Sequence, residues 1–338
     1  MHNKKALIIG FGRMGKIYYE ILTELGYEFI HIIEKDKFKV ESKKNLKSNK
    51  VKIFSSFNAS IKKENYFITV LSTTTDKKFE YIKKIASKKI KYLYVEKPIA
   101  SSIIECAQIK KIQKKYKLKI GINHQSRFTS EIENILKIVS AYKNDKLRGI
   151  SLIAGNIGLA MNGVHIIEIF NFLTKHKIDR VNANFEKKLV SNPRGKKFKD
   201  FAGQIFCKNR NNDILTINTS KDLGHGFNLF FNYKNGFIFL DYLNGNLYFN
   251  FRKKNFYNKK TNFYGLPSTI KKKKIKVSSI KEGTKKNLKL FLKNKSICNL
   301  NEGTNALKVL SAAYTSSLGS GKTIFLKKFK SKRFFQWA

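Results

Sequence analysis

The sequence has few cysteines, few prolines and no long run of apolar residues. Its three cysteines, Cys106, Cys207 and Cys298, are far apart and form no C-x-x-C pair, which argues against a disulfide framework and against a zinc site. We therefore predict that the protein binds no metal. No apolar stretch approaches the roughly 18 residues that a membrane span needs. The short apolar run near the start is broken by glycines, unlike a signal peptide. We expect a cytoplasmic protein with no membrane partner.

Acidic residues are also scarce. The chain has 23 Asp and Glu against 69 Lys and Arg, a formal net charge of +46. One interpretation is a nucleic-acid or other polyanionic partner. The other is an AT-rich coding sequence that places lysine at tolerant surface positions. The lysines are spread along the whole chain, which favours the second interpretation and a solvated surface. We expect no nucleic-acid partner, although the charge would help to attract an anionic substrate.

The length and the apolar pattern predict two domains of different class. With 338 residues, 42% of them hydrophobic, the chain is long enough for two folded domains. Over residues 1–122, short apolar strands alternate with helical periodicity, which predicts an α/β domain with a parallel sheet covered on both faces. Over residues 123–338, two helices precede a series of strand-like runs separated by turn signals. This predicts an α+β domain with a mainly antiparallel sheet, an exposed lysine-rich loop at 257–274 and a closing helix at 305–317.

A glycine-rich turn follows the first predicted strand. The run Gly10-Phe11-Gly12-Arg13-Met14-Gly15 fits G-x-G-x-x-G and lies between a strand and a helix, the context that gives this motif its meaning. The first glycine allows a tight turn, the second lets a pyrophosphate approach the backbone, and the third lets helix and strand pack closely. Free N–H groups at the helix N-terminus then face the phosphates. The first domain is therefore predicted to be a doubly wound Rossmann domain that binds a dinucleotide.

An acidic residue follows the second predicted strand. Glu34 stands directly after Phe29–Ile33, where its carboxylate can accept both ribose hydroxyls of NAD. A 2′-phosphate at the same place would meet a like charge, so the expected cofactor is NAD. Lys35 and Lys37 keep NADP open as the alternative, because either lysine can serve a phosphate.

A lysine follows the strand predicted at Tyr92–Val95, within Glu96-Lys97-Pro98. In an open α/β sheet, ligands bind beyond the carboxyl ends of the strands. We therefore expect Lys97 to project into the cleft where a nicotinamide lies. A solvated surface lysine is the alternative in a chain so rich in lysine, but the strand end and the following proline favour a functional role.

Three motifs together resemble the glucose-fructose oxidoreductase/inositol dehydrogenase (Gfo/Idh/MocA) family: the glycine turn, Ser72-Thr73-Thr74-Thr75 and Glu96-Lys97-Pro98. Similarity extends through Asn123, Arg127-Phe128, Gly163–Glu168 and Ala306–Ser317, and so covers nearly the whole chain. The resemblance implies that cofactor contacts come from Gly10, Phe11, Gly12, Arg13, Met14, Gly15, Glu34, Ser72, Thr73, Thr74, Glu96 and Lys97.

The resemblance also implies a reaction. Enzymes of this family oxidise or reduce a secondary alcohol of a sugar, cyclitol or nucleotide sugar. Carried over, His165 takes the hydroxyl proton and Lys97 orients and stabilises the reacting oxygen, while Arg127, Asn162 and Glu168 contact the substrate. A histidine titrates near working pH and a lysine stabilises a developing alkoxide, so both roles make chemical sense. Without the motif, His165 would be interpreted as a core histidine on an apolar helix.

The chain departs from the family pattern at three positions. Met161 stands where the family usually has an aspartate, Glu168 where aspartate is commoner, and Lys78 where a histidine is frequent. The missing aspartate keeps open a second function, that of a non-catalytic dinucleotide- or sugar-binding relative. Residues 158–163 and 192–195 resemble a subgroup linked to bacterial surface-polysaccharide synthesis.

The second domain carries more apolar strand surface than one helix layer covers. Phe230, Tyr233, Phe237 and Phe239 alternate along neighbouring predicted strands. We therefore expect a homo-oligomer in which a second copy covers one face of this sheet.

Overall fold

The computed structural model describes residues 5–36, 50–57, 64–87, 90–143, 145–190, 198, 200–224, 226–260 and 268–331. Lys37 and the stretch 192–195, both singled out in the sequence, lie outside these residues. The chain divides into two compact units. The first holds the described residues up to His124 together with Thr284–Thr304. The second holds the described residues of Gln125–Gly283 and Asn305–Ser331.

The first unit is built on a parallel sheet that has six strands in the described residues. They are β1 (Lys5–Ile9), β2 (Phe29–Ile33), β3 (Val51–Phe54), β4 (Ile68–Leu71), β5 (Tyr92–Val95) and β6 (Lys119–Ile122). Their order is β3-β2-β1-β4-β5-β6 and every pair is parallel. This is the order of a Rossmann sheet, in which the chain changes direction between β1 and β4. The predicted doubly wound class is confirmed.

Helices follow the strands whose carboxyl ends carry the motifs. They are α1 (Arg13–Glu24) after β1, α2 (Thr75–Ala86) after β4 and α3 (Ile103–Tyr116) after β5. All residues of β4 and β5 are buried, as expected for strands covered on both faces. The start of α3 is capped by side chains: Ser102 Oγ accepts from the Glu105 amide at 3.1 Å, and Glu105 Oε2 accepts from the Ser101 amide at 2.8 Å, in a variant of the capping box. This cap holds the chain in place just after residues 96–98.

The second unit is built on a larger sheet. Its strands are β7 (Leu147–Ala154), β8 (Ile178–Phe185), β9 (Gly203–Asn209), β10 (Ile214–Thr219), β11 (Phe227–Tyr233), β12 (Gly236–Asp241), β13 (Asn246–Phe251), β14 (Lys271–Lys274) and β15 (Ile324–Phe325). The order is β14-β13-β12-β11-β7-β10-β9-β8-β15. β7 and β10 run parallel, whereas the other neighbouring strands run antiparallel. The prediction of a mainly antiparallel sheet is confirmed. Its helices include α4 (Ser130–Ala141) and α5 (Val164–Thr174), and α5 packs against β7.

The prediction of an exposed loop throughout 257–274 is wrong at its end. Lys271–Lys274 form β14, which pairs antiparallel with β13, and all four side chains are exposed. Residues 261–267 lie outside the described residues. A run of lysines is compatible with an edge strand, because the backbone makes the pairing while the charges repel further strands.

Two helices near the end of the chain begin where the sequence analysis did not place them. α6 (Ile280–Leu292) was not predicted, and α7 (Leu300–Leu318) begins five residues earlier than the predicted helix. Both starts are capped by a side chain: Ser279 Oγ accepts from the Glu282 amide at 3.2 Å, and Asn299 Oδ1 from the Glu302 amide at 3.1 Å. The S-x-x-E and N-x-x-E spacings are the signals that were missed.

One face of this larger sheet carries half-exposed aromatic and aliphatic side chains. Phe230, Phe239 and Tyr248 lie opposite one another across β11, β12 and β13, with ring centroids 4.6 Å and 5.9 Å apart. On the same sheet Ile153 is 45% exposed and Phe206 37%. We call this row of three aromatic residues, with Ile153 and Phe206, the open face. Apolar surface of this kind usually marks an interaction site.

Not every aromatic residue named from the sequence contributes to the open face. Phe237 does, with its ring 6.5 Å from that of Phe230. The ring of Tyr233 instead packs 5.6 Å from that of the buried Phe251. A bulge in the β11–β7 pairing, between Asn232 and Tyr233, interrupts the alternation on which the prediction relied.

We expect the open face to be the contact between two copies of the chain. The protein should sediment as a dimer or larger oligomer at micromolar concentration, and Phe230→Glu should shift it to monomer. Burying one aromatic ring contributes about 1.5–3 kcal/mol, and a carboxylate there would be left without a partner. Leu243→Glu is the matched control, because Leu243 is 47% exposed but lies in a turn outside the open face. A native chain that sediments only as a monomer would contradict the expectation.

Candidate active site

The glycine turn after β1 has the shape that the sequence predicted. Gly10 has a φ of +91°, and a Cβ there would lie 2.9 Å from the backbone nitrogen of Thr73. At Gly15 a Cβ would lie 2.1 Å from the carbonyl oxygen of Gly10, so helix and turn pack too closely for any other residue. Gly12 is exposed, and no described atom lies within 4 Å of where its Cβ would be. The turn is thus closed on two sides and open at Gly12, where a pyrophosphate can approach.

Helix α1 presents its N-terminus at this opening. Gly12 is the N-cap and, having no side chain, it does not cap the first amide groups of the helix. Arg13 is exposed and Met14 half-buried. Phe11 is fully buried, and its ring meets Tyr19 edge-on at 6.1 Å. The side chain of Phe11 therefore serves the core, and only its backbone lies at the turn.

Glu34 lies against the glycine turn. Its Oε2 accepts a hydrogen bond from the Phe11 amide at 2.7 Å, and its Oε1 accepts from the Asp36 amide at 3.2 Å. The side chain is half-buried. The carboxylate is therefore held beside the turn in the place where a Rossmann domain accepts ribose hydroxyls.

The turn after β4, residues 72–74, lies against the glycine turn. We call these two turns together the cofactor cradle. Ser72 Oγ donates to the carbonyl oxygen of Gly10 at 2.7 Å, which ties the two turns together. Thr73 Oγ1 is buried without a hydrogen-bond partner among the described residues. Thr74 is the N-cap of α2 and makes no side-chain cap bond. An orphan hydroxyl beside an open glycine turn fits a dinucleotide, which would supply polar partners there.

The turn after β5 carries Glu96, Lys97 and Pro98. Glu96 is buried, and its Oε1 accepts hydrogen bonds from the Tyr18 hydroxyl and from Asn123 Nδ2, the latter at 2.7 Å. Burial, and then the negative charge of Glu96, hold the pKa of Tyr18 well above its usual range, so this hydroxyl stays a donor. Lys97 is half-exposed. The buried acid thus fixes the turn, and Lys97 follows it at the carboxyl edge of the sheet.

Arg127 and Glu168, two of the predicted substrate contacts, are paired with each other in the second unit. Arg127 lies in a 3-10 helix (Gln125–Phe128), and its guanidinium donates to Glu168 Oε1. Their side chains are 3% and 1% exposed. The guanidinium also lies 4.7 Å from the ring centroid of Phe172. The pair therefore joins α5 to the 3-10 helix, a structural role that the sequence did not reveal.

His165 stands in the first turn of α5, directly after a π-helix (Leu159–Gly163). Its side chain is 6% exposed and shares a helix face with Glu168, three residues further on. Asn162 is half-buried, and its Nδ2 donates to the carbonyl oxygen of Ile157 at 2.6 Å. π-Helices are rare and often occur at functional sites. The π-helix leads directly into the Gly163–Glu168 motif, so both features point to the start of α5 as a candidate site.

Asp200 anchors this π-helix. It is 1% exposed, and its Oδ1 accepts from the amides of Leu159 at 3.1 Å and of Phe201 at 3.0 Å. Its Oδ2 lies 3.0 Å from where a Cβ of Gly158 would stand. Burial raises the pKa of the Asp200 carboxyl, opposed by the two amide donors. A carboxylate from a distant segment thus lies beside the turn that carries Met161.

The burial of Lys78 and the contacts of Asp200 were not predicted from the sequence. Lys78 falls on the apolar face of α2 with Ile82 and Ile85, a position where a lysine needs buried acceptors. A lysine on the apolar face of a predicted helix was therefore a signal from which its burial could have been predicted. Asp200 follows a lysine-rich stretch and shows no pattern, so only the fold reveals it.

Neither a metal cluster nor a membrane helix is found in the described residues. No group of three His, Cys, Asp or Glu side chains there could hold a metal ion. No helix in the same ranges combines the length and apolar character needed to cross a membrane.

The comparisons with known proteins agree with this geometry. Residues 4–124 match the model of the Gfo/Idh/MocA oxidoreductase family, described as an NAD-binding Rossmann fold. No curated protein sequence matches the chain.

Solved structures share the fold over nearly the full length. One is an oxidoreductase from Agrobacterium radiobacter in complex with NAD+, L-tartaric acid and magnesium (TM-score 0.76, 12% identity, 96% of this chain and 99% of that one). The second is the transcriptional regulator Gal80p from Kluyveromyces lactis (0.74, 12%, 96% and 95%). The third is the UDP-N-acetylglucosamine 3-dehydrogenase GnnA from Acidithiobacillus ferrooxidans (0.69, 14%, 94% and 98%). The match over residues 4–124 and the motifs built into that unit show that the first unit is similar to the NAD-binding Rossmann domain of the Gfo/Idh/MocA oxidoreductase family.

Proposed function

We propose that the protein is an NAD-dependent oxidoreductase that transfers a hydride between the nicotinamide and a secondary alcohol or ketone of a sugar, cyclitol or nucleotide sugar. The observation that carries the proposal is the arrangement at the carboxyl edge of the parallel sheet. There Gly12 is open, Glu34 is hydrogen-bonded to the glycine turn, and Lys97 is half-exposed directly after β5.

The cofactor contacts follow from this arrangement. The amides at the start of α1 would bind the pyrophosphate, and Glu34 would accept the ribose hydroxyls. The cofactor would provide a hydrogen-bond partner for the Thr73 hydroxyl, which has none among the described residues. The chemistry that NAD would supply when bound is hydride transfer, from a carbinol carbon in the oxidation or to a ketone in the reduction.

The chain's own groups supply the acid–base chemistry in this proposal. In the oxidation, His165 accepts the proton of the substrate hydroxyl as the C–H hydride leaves, and in the reduction it returns that proton. The Lys97 ammonium donates a hydrogen bond to the reacting oxygen and stabilises its negative charge. Asn162 is assigned to substrate hydroxyls. Arg127 and Glu168 hold α5 in position.

A direct test is turnover on a panel of sugars, cyclitols and nucleotide sugars, followed as NADH absorbance in both directions. We expect at least one member to be oxidised, or its keto form to be reduced, and a deuterium at the reacting carbon to appear in the nicotinamide. The fold of a UDP-N-acetylglucosamine 3-dehydrogenase makes nucleotide sugars the first choice for the panel.

Glu34 should make NADH bind more tightly than NADPH, by about 10-fold or more, because the 2′-phosphate meets a like charge. Glu34→Ala should narrow the difference between the affinities for NADH and NADPH, because it weakens NADH binding and relieves the repulsion of NADPH. Titration of both reduced cofactors by fluorescence measures the two dissociation constants.

Glu28→Ala is the matched control for this titration. Glu28 precedes β2, at the opposite end of the strand from Glu34, and its exposed carboxylate pairs with Lys50 at 2.7 Å. This variant should keep the native preference. Equal affinities in the native protein, or a preference for NADPH, would contradict the cofactor assignment.

A second candidate function is a non-catalytic relative that binds a dinucleotide or sugar. Two observations favour it: Met161 stands where the family usually has an aspartate, and a transcriptional regulator shares the fold. Tight NADH binding together with no turnover on the whole panel would make this the better assignment.

A further inference from the structure

Lys78 is among the largest fully buried side chains of the described residues. It is 1% exposed and lies on the face of α2 that packs into the first unit, with Ile82 and Ile85. An ammonium group in such a place is costly unless hydrogen bonds compensate it. The ammonium group of Lys78 therefore needs hydrogen-bond acceptors within the first unit.

The ammonium group of Lys78 donates to the backbone on both sides of Lys97. Its Nζ lies 2.6 Å from the carbonyl oxygen of Glu96 and 2.6 Å from that of Pro98. Charge-assisted hydrogen bonds of this length are stronger than bonds between neutral groups. The residue between the two carbonyls is the one assigned to the reacting oxygen.

Three further hydrogen bonds anchor this turn at Glu96. Its amide donates to the carbonyl oxygen of Leu71 at 2.9 Å, and its carboxylate accepts from Tyr18 and Asn123. Lys78 adds the bond at Pro98, on the far side of Lys97. It also comes from α2, whose N-cap is Thr74 in the predicted cofactor cradle. One side chain thus joins the turn after β5 to the helix that follows β4.

We propose that Lys78 is a positioning residue for Lys97: its buried ammonium group fixes the backbone on both sides of Lys97 and so sets where the Lys97 side chain stands relative to the cofactor. This inference rests on the proposed function for its consequence in catalysis. Its structural part, the placement of Lys97, is testable without any substrate.

The first test is Lys78→Met with Lys77→Met as its matched control. Lys77 is the preceding residue of α2 and is exposed. Lys78→Met should lower kcat roughly 10–100-fold, because small displacements of a reacting group cost rates of that order. Binding of NADH should be retained in both variants, and Lys77→Met should keep native kcat. If Lys78→Met does not fold, Lys78→Gln, which keeps an uncharged N–H donor group, takes its place.

A double-mutant cycle separates positioning from general damage. If Lys78 acts through Lys97, adding Lys78→Met to Lys97→Met should cause no further loss of kcat. A residue that only stabilises the unit would lower kcat by the same factor in both backgrounds. Additive losses would therefore overturn the inference.

The substrate-free test is the reactivity of Lys97 towards limiting acetic anhydride, followed by peptide mass spectrometry. Releasing the turn should raise the labelling rate of Lys97 severalfold in Lys78→Met, while the exposed Lys91, which precedes β5, labels as in the native protein. Unchanged labelling of Lys97 would overturn the inference. If the native protein turns over no substrate, the proposed function fails, and this labelling result alone still decides the role of Lys78.

Discussion

Replacing Lys97 by methionine should lower kcat on the true substrate by about 10²–10⁴-fold, the usual cost of removing a positioned acid–base or charge-stabilising group. Methionine keeps most of the length and bulk of the side chain and removes its charge. The measurement is steady-state kinetics in both directions, with the NADH dissociation constant determined separately. Lys91→Met, at the other end of β5, is the control and should keep native kcat.

His165→Ala should lose turnover to a similar extent, about 10²–10⁴-fold, because no other base is assigned to the hydroxyl proton. NADH binding should persist in both variants, since the pyrophosphate and ribose contacts are assigned to residues 10–15 and to Glu34. Melting curves of both variants check that each is folded. Near-native turnover by Lys97→Met would show that the lysine is structural and would overturn the proposed mechanism.

Breaking the Arg127–Glu168 pair should destabilise the second unit by about 3–5 kcal/mol, because either single change leaves the other charge buried and unpaired. For a unit of this size, that loss corresponds to a fall in melting temperature of roughly 10 °C. Arg127→Met and Glu168→Gln should therefore each melt well below the native protein. Combining them should cost less than the sum of the two, since neither charge then remains.

The matched control for this pair is the exposed ion pair of Asp179 and Arg180, whose side chains are 42% and 33% exposed. Arg180→Met should change the melting temperature very little, as expected for a surface pair worth about 0–1 kcal/mol. Native-like melting of both Arg127→Met and Glu168→Gln would show that the pair contributes nothing to the stability of the second unit. A KM that rises in Glu168→Gln with kcat unchanged would support the additional assignment of Glu168 to substrate binding.

The elements that could be predicted are those whose signal is local. β2 and β5 have the bounds that periodicity predicted, because their apolar spacing and flanking polar residues define both ends. β14 could not be predicted, since four exposed lysines form a strand only through pairing with β13. α6 was missed although its capping signal at Ser279 and Glu282 was present, because its apolar stripe is interrupted by lysines.

In the candidate site, too, some features could be predicted from local sequence and others could not. The glycine turn and Glu34 could be predicted, because each follows a recognisable strand; their mutual contact, the hydrogen bond from the Phe11 amide to Glu34, was found only in the structure. The pairing of Arg127 with Glu168 could not be predicted, since 41 residues separate them in the chain. Asp200 reaches the amide of Leu159 across the same separation of 41 residues. For Lys97 and His165 the sequence supports roles that stay predictions until they are measured.

By itself, the sequence determined the class of both sheets, the glycine turn and the residues at the strand ends. These depend on the periods of helix and strand and on the conformations that glycine allows, which are properties of neighbouring residues. Only the tertiary structure decided which buried charges meet. Lys78 joins the carbonyls beside Lys97, Arg127 joins Glu168, and Asp200 joins the π-helix. A buried polar group must find a partner wherever the fold brings one within reach, and no local pattern in the chain specifies that partner.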